Sequence, residues 1–130
     1  MKIKICGITE IETLNFLIEN GVDYVGFIFH ENSPRNVTHA LINEIKNTDF
    51  QKTRPVCVFA NPEKSFVSSS LSYFENPIIQ FHGDESEDFC KLFDCEFWKA
   101  LRIKDSKSLE DMKHFKNAEA ILCDTYKEGI

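Results

Sequence analysis

The chain has 130 residues, with 15 Lys+Arg against 21 Asp+Glu, a formal net charge of −6 and a pI near 5.2. Its 42 % hydrophobic content suits one packed domain and excludes a disordered chain. The acidic balance argues against nucleic-acid and anionic-membrane partners; no apolar run approaches the ~18 residues of a membrane span, and the opening MKIKICGITE lacks the apolar stretch of a signal peptide, so a cytoplasmic protein is expected.

Apolar, β-rich runs recur at 3–6, 24–29, 56–60, 78–82, 97–103 and 120–124. Their C-terminal ends are spaced by 23, 31, 22, 21 and 21 residues, room for one strand, one helix and two short loops at each step. The runs 24–29 and 56–60 are continuously apolar, as expected of strands covered on both faces by helices. Between the runs lie five predicted helices. Thr9 with Glu12 forms a capping-box pattern ahead of Ile11, Leu14, Leu17 and Ile18, and Gly21 supplies a left-handed stop. Leu41, Ile42 and Ile45 mark a helix over 38–46. Asn61-Pro62 reads as a cap and a first-turn proline before Val67, Leu71 and Phe74. Ser86 precedes Phe89, Leu92 and Phe93, and Leu109, Met112 and Phe115 mark the last stripe. Each stripe is expected to face the core.

The alternation βαβαβαβαβαβ predicts six parallel strands, because crossovers of this length join parallel neighbours. Either an open doubly wound sheet or a barrel satisfies that order. Cys6-Gly7-Ile8-Thr9 lacks the spacing of a dinucleotide or P-loop fingerprint, which argues against nucleotide binding. The regular step favours a (β/α)8 barrel, of which six strands are present. Five cysteines at irregular spacing include no CxxC or CxxH pair, so neither a structural zinc site nor a disulfide framework is expected. Cys6, Cys57 and Cys123 lie in strand-like runs and read as small buried hydrophobes unless a site claims them. The 12 Phe read as core filling.

Parallel α/β folds work at the C-terminal strand ends. Here those ends carry Lys4 and Cys6, then His30 and Arg35, Asn61, Gln80 with His82 and Asp84, Lys99 and Arg102, and Asp124. A thiol, an imidazole, an arginine and a carboxylate on one rim point to a site.

Five collinear blocks carry a resemblance across the whole chain. They are Lys4-Ile5-Cys6-Gly7-Ile8-Thr9; Gly21-Val22-Asp23-Tyr24-Val25-Gly26-Phe27-Ile28-Phe29; Ser33-Pro34-Arg35; Gln80-Phe81-His82-Gly83-Asp84-Glu85; and Leu122-Cys123-Asp124-Thr125. Together they resemble the phosphoribosylanthranilate isomerases of tryptophan biosynthesis. The resemblance implies a parallel (β/α)8 TIM-barrel fold, here a single partial domain over 1–130 that lacks strands seven and eight. It also implies an Amadori rearrangement of N-(5'-phosphoribosyl)anthranilate with no cofactor and no metal. Carried over by motif, Cys6 is the general base and Asp124 the general acid, Arg35 holds the anthranilate carboxylate, and Gln80 and His82 line the anthranilate side. Strand alternation places Lys4 on the face of Cys6, making it a candidate for tuning the thiol. Asp124 needs burial or substrate charge to hold its proton near neutral pH. Asp84 and Glu85 are expected to cap the following helix.

The resemblance further implies a phosphate grip in the two absent strands, so a truncated chain inactive alone is expected. Strands one and six would then be open edges, inviting a fragment that supplies the missing strands or self-association as a homo-oligomer. The alternative is a non-catalytic barrel fragment. Another phosphosugar barrel enzyme is a third reading, disfavoured by the pairing of Cys6 with Asp124.

Overall fold

The structure, a computed structural model, describes residues 1–125 of the chain. Six parallel strands form one sheet in chain order: β1 (Lys4–Cys6), β2 (Tyr24–Ile28), β3 (Arg54–Phe59), β4 (Ile78–Phe81), β5 (Phe97–Ile103) and β6 (Ala120–Thr125). Each lies within two residues of its predicted span at either end. Four α-helices cross between them: α1 (Ile11–Glu19), α2 (His39–Ile45), α3 (Lys64–Leu71) and α4 (Glu87–Cys90).

Side-chain alternation splits the sheet into two chemically different faces. Val25, Phe27, Cys57, Phe59, Ile79, Phe81 and Phe97 pack with Leu14, Ile18, Leu41, Ile42, Ile45, Val67 and Cys90 from the helices. Val56, Val58 and Ile78 form a separate cluster with Cys6, Tyr24, Ile28 and Trp98, to which no helix contributes. The helices therefore cover one face only, and the second apolar face expected for β2 and β3 is a barrel interior. Its curvature is visible in the contacts. β2 and β5 are three strand spacings apart, about 14 Å in a flat sheet, yet the rings of Tyr24 and Trp98 meet edge to face with centroids 4.9 Å apart. The sheet is the larger part of a parallel barrel.

Phenylalanine fills the helix side, as the composition suggests. Phe27, Phe29, Phe50, Phe59, Phe66 and Phe74 form one set of ring contacts, and Phe81, Phe89, Phe93 and Phe97 another. Gly21 closes α1 with φ +67, its N–H bonding to Ile18 O and that of Val22 to Leu17 O. Thr38 and Ser86 cap α2 and α4 by accepting from Leu41 N and Phe89 N.

Five local expectations need correction. α1 starts after Glu10, with no side-chain cap, so Thr9 does not begin it. Asn61 is left-handed at φ 49 and lies outside α3, whose N-cap is Glu63. α4 is a single turn extended by a 3-10 turn, Lys91–Phe93, with Leu92 exposed. The last predicted helix is a 3-10 helix, Ser108–His114, and its Leu109 and Met112 are exposed. Cys123 is exposed as well, against its reading as a buried hydrophobe.

Candidate active site

The register of the sheet assembles a polar rim. Lys4 pairs with Tyr24 and Cys6 with Gly26, so Lys4 and Cys6 share the concave face as alternation requires. Gly26 is what gives the thiol its room. A Cβ there would stand 2.7 Å from Cys6 Sγ. Past the strand end, Gly7 turns at φ +83, and both its N–H and that of Ile8 bond to Gly26 O.

Arg35 reaches the same spot from the loop after β2. Asn36 anchors that loop by accepting from His30 N at 2.9 Å and bridging to Ile28. Ser33 Oγ accepts from Arg35 N at 3.2 Å. The guanidinium then lies over Gly7 and donates from Nη1 to Cys6 O at 3.1 Å. Any side chain at Gly7 would collide with it, since a Cβ would approach Arg35 Cζ to 2.8 Å.

From β4 and β6 come the other members. Gln80 is buried on the concave face, and its Oε1 accepts from Lys4 Nζ at 2.5 Å. Gln80 Nε2 meets His82 Nδ1 at 3.1 Å, and His82 Nε2 meets Asp124 Oδ2 at 3.0 Å. Thr125 N donates to Asp124 Oδ1 at 2.8 Å. The Lys4 ammonium also sits 5.9 Å from the centroid of the Trp98 ring. Burial pushes the Lys4 pKa below its usual range, while the Cys6 sulfur beside it pulls in the opposite direction.

The six residues given a role in the expected site are therefore on one rim, with Lys4, Cys6 and Arg35 at the β1 end and Gln80, His82 and Asp124 toward β6. Two expectations for the rim fail. Lys99 pairs with Phe81, which faces the helices, and it is buried there against Glu85 at 2.9 Å. Glu85 caps nothing: its carboxylate takes Lys99 Nζ, Asn61 N and Gly83 N. Of the two means expected to hold a proton on Asp124, burial or substrate charge, burial is absent, its side chain being 51 % exposed. Gly26 and Gly7 were missed as parts of the site. A glycine inside an apolar strand signals a close approach, and that signal was present at Gly26. Arg102 pairs in register with Asp124 and so shares its face. Among the described residues no cluster of three or more His, Cys, Asp or Glu is placed to hold a metal ion. No helix among them is long and apolar enough to cross a membrane.

Comparison with known proteins gives a consistent result. A family profile described as N-(5'phosphoribosyl)anthranilate (PRA) isomerase matches residues 3–129. An N-(5'-phosphoribosyl)anthranilate isomerase of Nitrosomonas europaea is 35 % identical over 131 residues, covering 100 % of this chain and 62 % of the relative. The crystal structure of the Thermotoga maritima phosphoribosyl anthranilate isomerase superposes with a TM-score of 0.88 at 28 % identity, covering 100 % of this chain and 64 % of that one. A second crystal structure, of a phosphoribosyl anthranilate isomerase in complex with reduced 1-(o-carboxyphenylamino)-1-deoxyribulose 5-phosphate, gives 0.86 at 29 % identity, covering 98 % and 66 %. The chain spans about three fifths of the length of the curated relatives it matches. It belongs to the N-(5'-phosphoribosyl)anthranilate isomerase family.

Proposed function

We propose that this chain contributes the acid, the base and the anthranilate-binding residues of an isomerase that converts N-(5'-phosphoribosyl)anthranilate to 1-(2-carboxyphenylamino)-1-deoxyribulose 5-phosphate. The observation that carries the reading is the placement of Cys6 and Asp124 on one concave rim, at the two edge strands of the described sheet, with Arg35 held at the Cys6 carbonyl. An aldose-to-ketose rearrangement needs two proton transfers at separate atoms. Asp124 protonates the furanose ring oxygen so that the ring opens, and Cys6 removes the proton from C2'. Arg35 offers a planar donor fork to the anthranilate carboxylate, a charge that persists throughout the reaction. Gln80 and His82 line the wall between them.

The phosphate grip belongs to barrel positions beyond β6, since barrels of this type commonly hold phosphate after strands seven and eight. Among the described residues β1 and β6 are the edge strands; a segment supplying strands seven and eight, whatever its source, would pair them, and self-association is the competing way to cover them. The experiment is an isomerase assay on the 130-residue chain, with and without a polypeptide supplying strands seven and eight. Negligible turnover alone and rescue by the added segment are expected. In the completed barrel Arg35→Ala raises KM and largely spares kcat. Full turnover by the chain alone, or an Arg35→Ala variant with unchanged KM and kcat, overturns the assignment.

A further inference from the structure

Three side chains from two strands stand between the two ends of the rim, and their hydrogen bonds have a direction. A lysine ammonium has three donors and no acceptor. Its contact with Gln80 must therefore be to Oε1, which leaves the amide NH2 facing His82 Nδ1. That NH2 has only donors to give, so Nδ1 is the acceptor and the ring proton sits on Nε2. Nε2–H then donates to Asp124 Oδ2 at 3.0 Å. Turning the Gln80 amide over would set its NH2 against the ammonium, donor against donor, inside a residue only 2 % exposed. Water has little access there to repair the mismatch.

We propose that Lys4 and Gln80 are positioning residues: they fix the tautomer of His82, and through it the seat of Asp124. The row runs from the edge strand β1, through β4, to the edge strand β6, and spans the concave face. Asp124 is then held at both oxygens, by His82 on Oδ2 and by the Thr125 N–H on Oδ1. Arg102 is its register neighbour. Lys4 also shares the concave face of β1 with Cys6, two residues on, so the same ammonium that sets the polarity of the row ending at the acid lies on the strand of the proposed base. The catalytic importance of the row rests on the proposed role of Asp124; the tautomer assignment does not.

The test is nitrogen-15 NMR of the imidazole rings in the full-length protein, with His82 assigned among the four histidines by a His82→Asn variant. The wild-type protein is expected to show His82 with its proton on Nε2 alone. Lys4→Met frees the amide to turn, so the single-tautomer signature is lost and a mixture appears; Gln80→Leu does the same. Lys4→Arg, which keeps a donor-only group, retains the single tautomer. If Lys4→Met fails to fold, the wild-type tautomer and Gln80→Leu still decide the matter. A proton on Nδ1 in the wild type, a mixture already present there, or a tautomer unmoved in both Lys4→Met and Gln80→Leu overturns the proposal. In the completed barrel Lys4→Met lowers kcat with little change in KM, and Lys4→Arg recovers it. The two readings fail separately: an active Asp124→Asn variant removes the acid role of Asp124, whereas a wrong tautomer removes the row whatever the turnover.

Discussion

The helix face of the sheet and its concave face carry the same three groups, a thiol, a carboxylate and a lysine, in opposite states. On the helix face Glu85 and Lys99 form a pair with side chains 2 % exposed, and Cys57 and Cys90 are buried in the same layer. On the concave face His82 and Asp124 are 35 % and 51 % exposed, and Cys6 and Lys4 are half-buried. The buried carboxylate has spent its capacity. Both Glu85 oxygens take backbone or ammonium donors, and Lys99 also bonds to Gly83 O and lies 5.5 Å from the Phe115 ring centroid. Such a pair cannot exchange a proton with a substrate; it ties Gly83, the residue after His82, to Asn61 beyond the end of β3 and to Lys99 within β5. The Asp124 carboxylate also takes a donor on each oxygen, yet half of its side chain stays open to solvent. Chemistry on this sheet is a matter of which face a residue's parity selects, and residue type alone does not reveal it.

The largest effect that separates the faces is on turnover. In the completed barrel Cys6→Ala and Asp124→Asn each lower kcat by about 10²–10⁴-fold, the usual worth of a positioned acid or base. Cys57→Ala and Cys90→Ala leave kcat per folded molecule unchanged. Steady-state kinetics on the four variants checks this, and a Cys6→Ala enzyme of near-normal kcat would erase the distinction.

Stability should show the reverse ranking. Glu85→Ala strands the Lys99 ammonium in the helix layer and releases Asn61 N and Gly83 N. Breaking a buried pair by removing one partner costs about 3–5 kcal/mol. Urea unfolding should report a loss of that order, large against the whole stability of a domain. A loss below about 1 kcal/mol would mean that water or a rearranged loop replaces the carboxylate.

The buried thiols give a third contrast, in alkali. Burial pushes the Cys90 pKa up to about 12 from an ordinary 9.0, and Cys57 shifts in the same direction for the same reason. In the folded chain these thiols keep protons that the unfolded chain releases above pH 9. The folded state then binds more protons, so stability present below pH 9 is lost as pH rises toward 12. Replacing both with alanine flattens that decline in a series of urea titrations; an unchanged slope assigns the alkaline loss to other groups.

Much of this arrangement was legible in the sequence. The six strands, the shared face of Lys4 and Cys6, and all six rim residues follow from periodicity and from five collinear motifs. What was misread came from ignoring parity and distant partners. Phe97 faces the helices, and Lys99, two residues on, must face them too, so its place near a strand end did not put it in the site. Glu85 resembled a helix cap because its true partner lies 14 residues further along, on another strand. Asn61 bonds across the rim, accepting from Asp84 N at 2.8 Å, and no local signal distinguishes that from capping. Leu109, Met112 and Phe115 repeat at a strict spacing of three, which is the period of a 3-10 helix rather than the alternating three and four of an α-helical stripe.

The smallest expected effect is the stability cost of removing Asp124, the carboxylate proposed as the acid. His82 and Asp124 meet at 3.0 Å, a distance that suggests a strong pair, yet half of the Asp124 side chain faces solvent. Water screens that interaction and solvates either partner when the other is removed, so exposed pairs are worth about 0–1 kcal/mol. Asp124→Asn keeps one oxygen, which accepts from either His82 Nε2 or the Thr125 N–H but not from both, and at 51 % exposure water serves the donor left over. Urea unfolding of Asp124→Asn should therefore fall within about 1 kcal/mol of the wild type, while its kcat drops by orders of magnitude. The two measurements on one variant separate the roles: an unfolding loss as large as that of Glu85→Ala would show that Asp124 holds the barrel edge together, and its effect on turnover would then be a consequence of structure rather than of proton transfer.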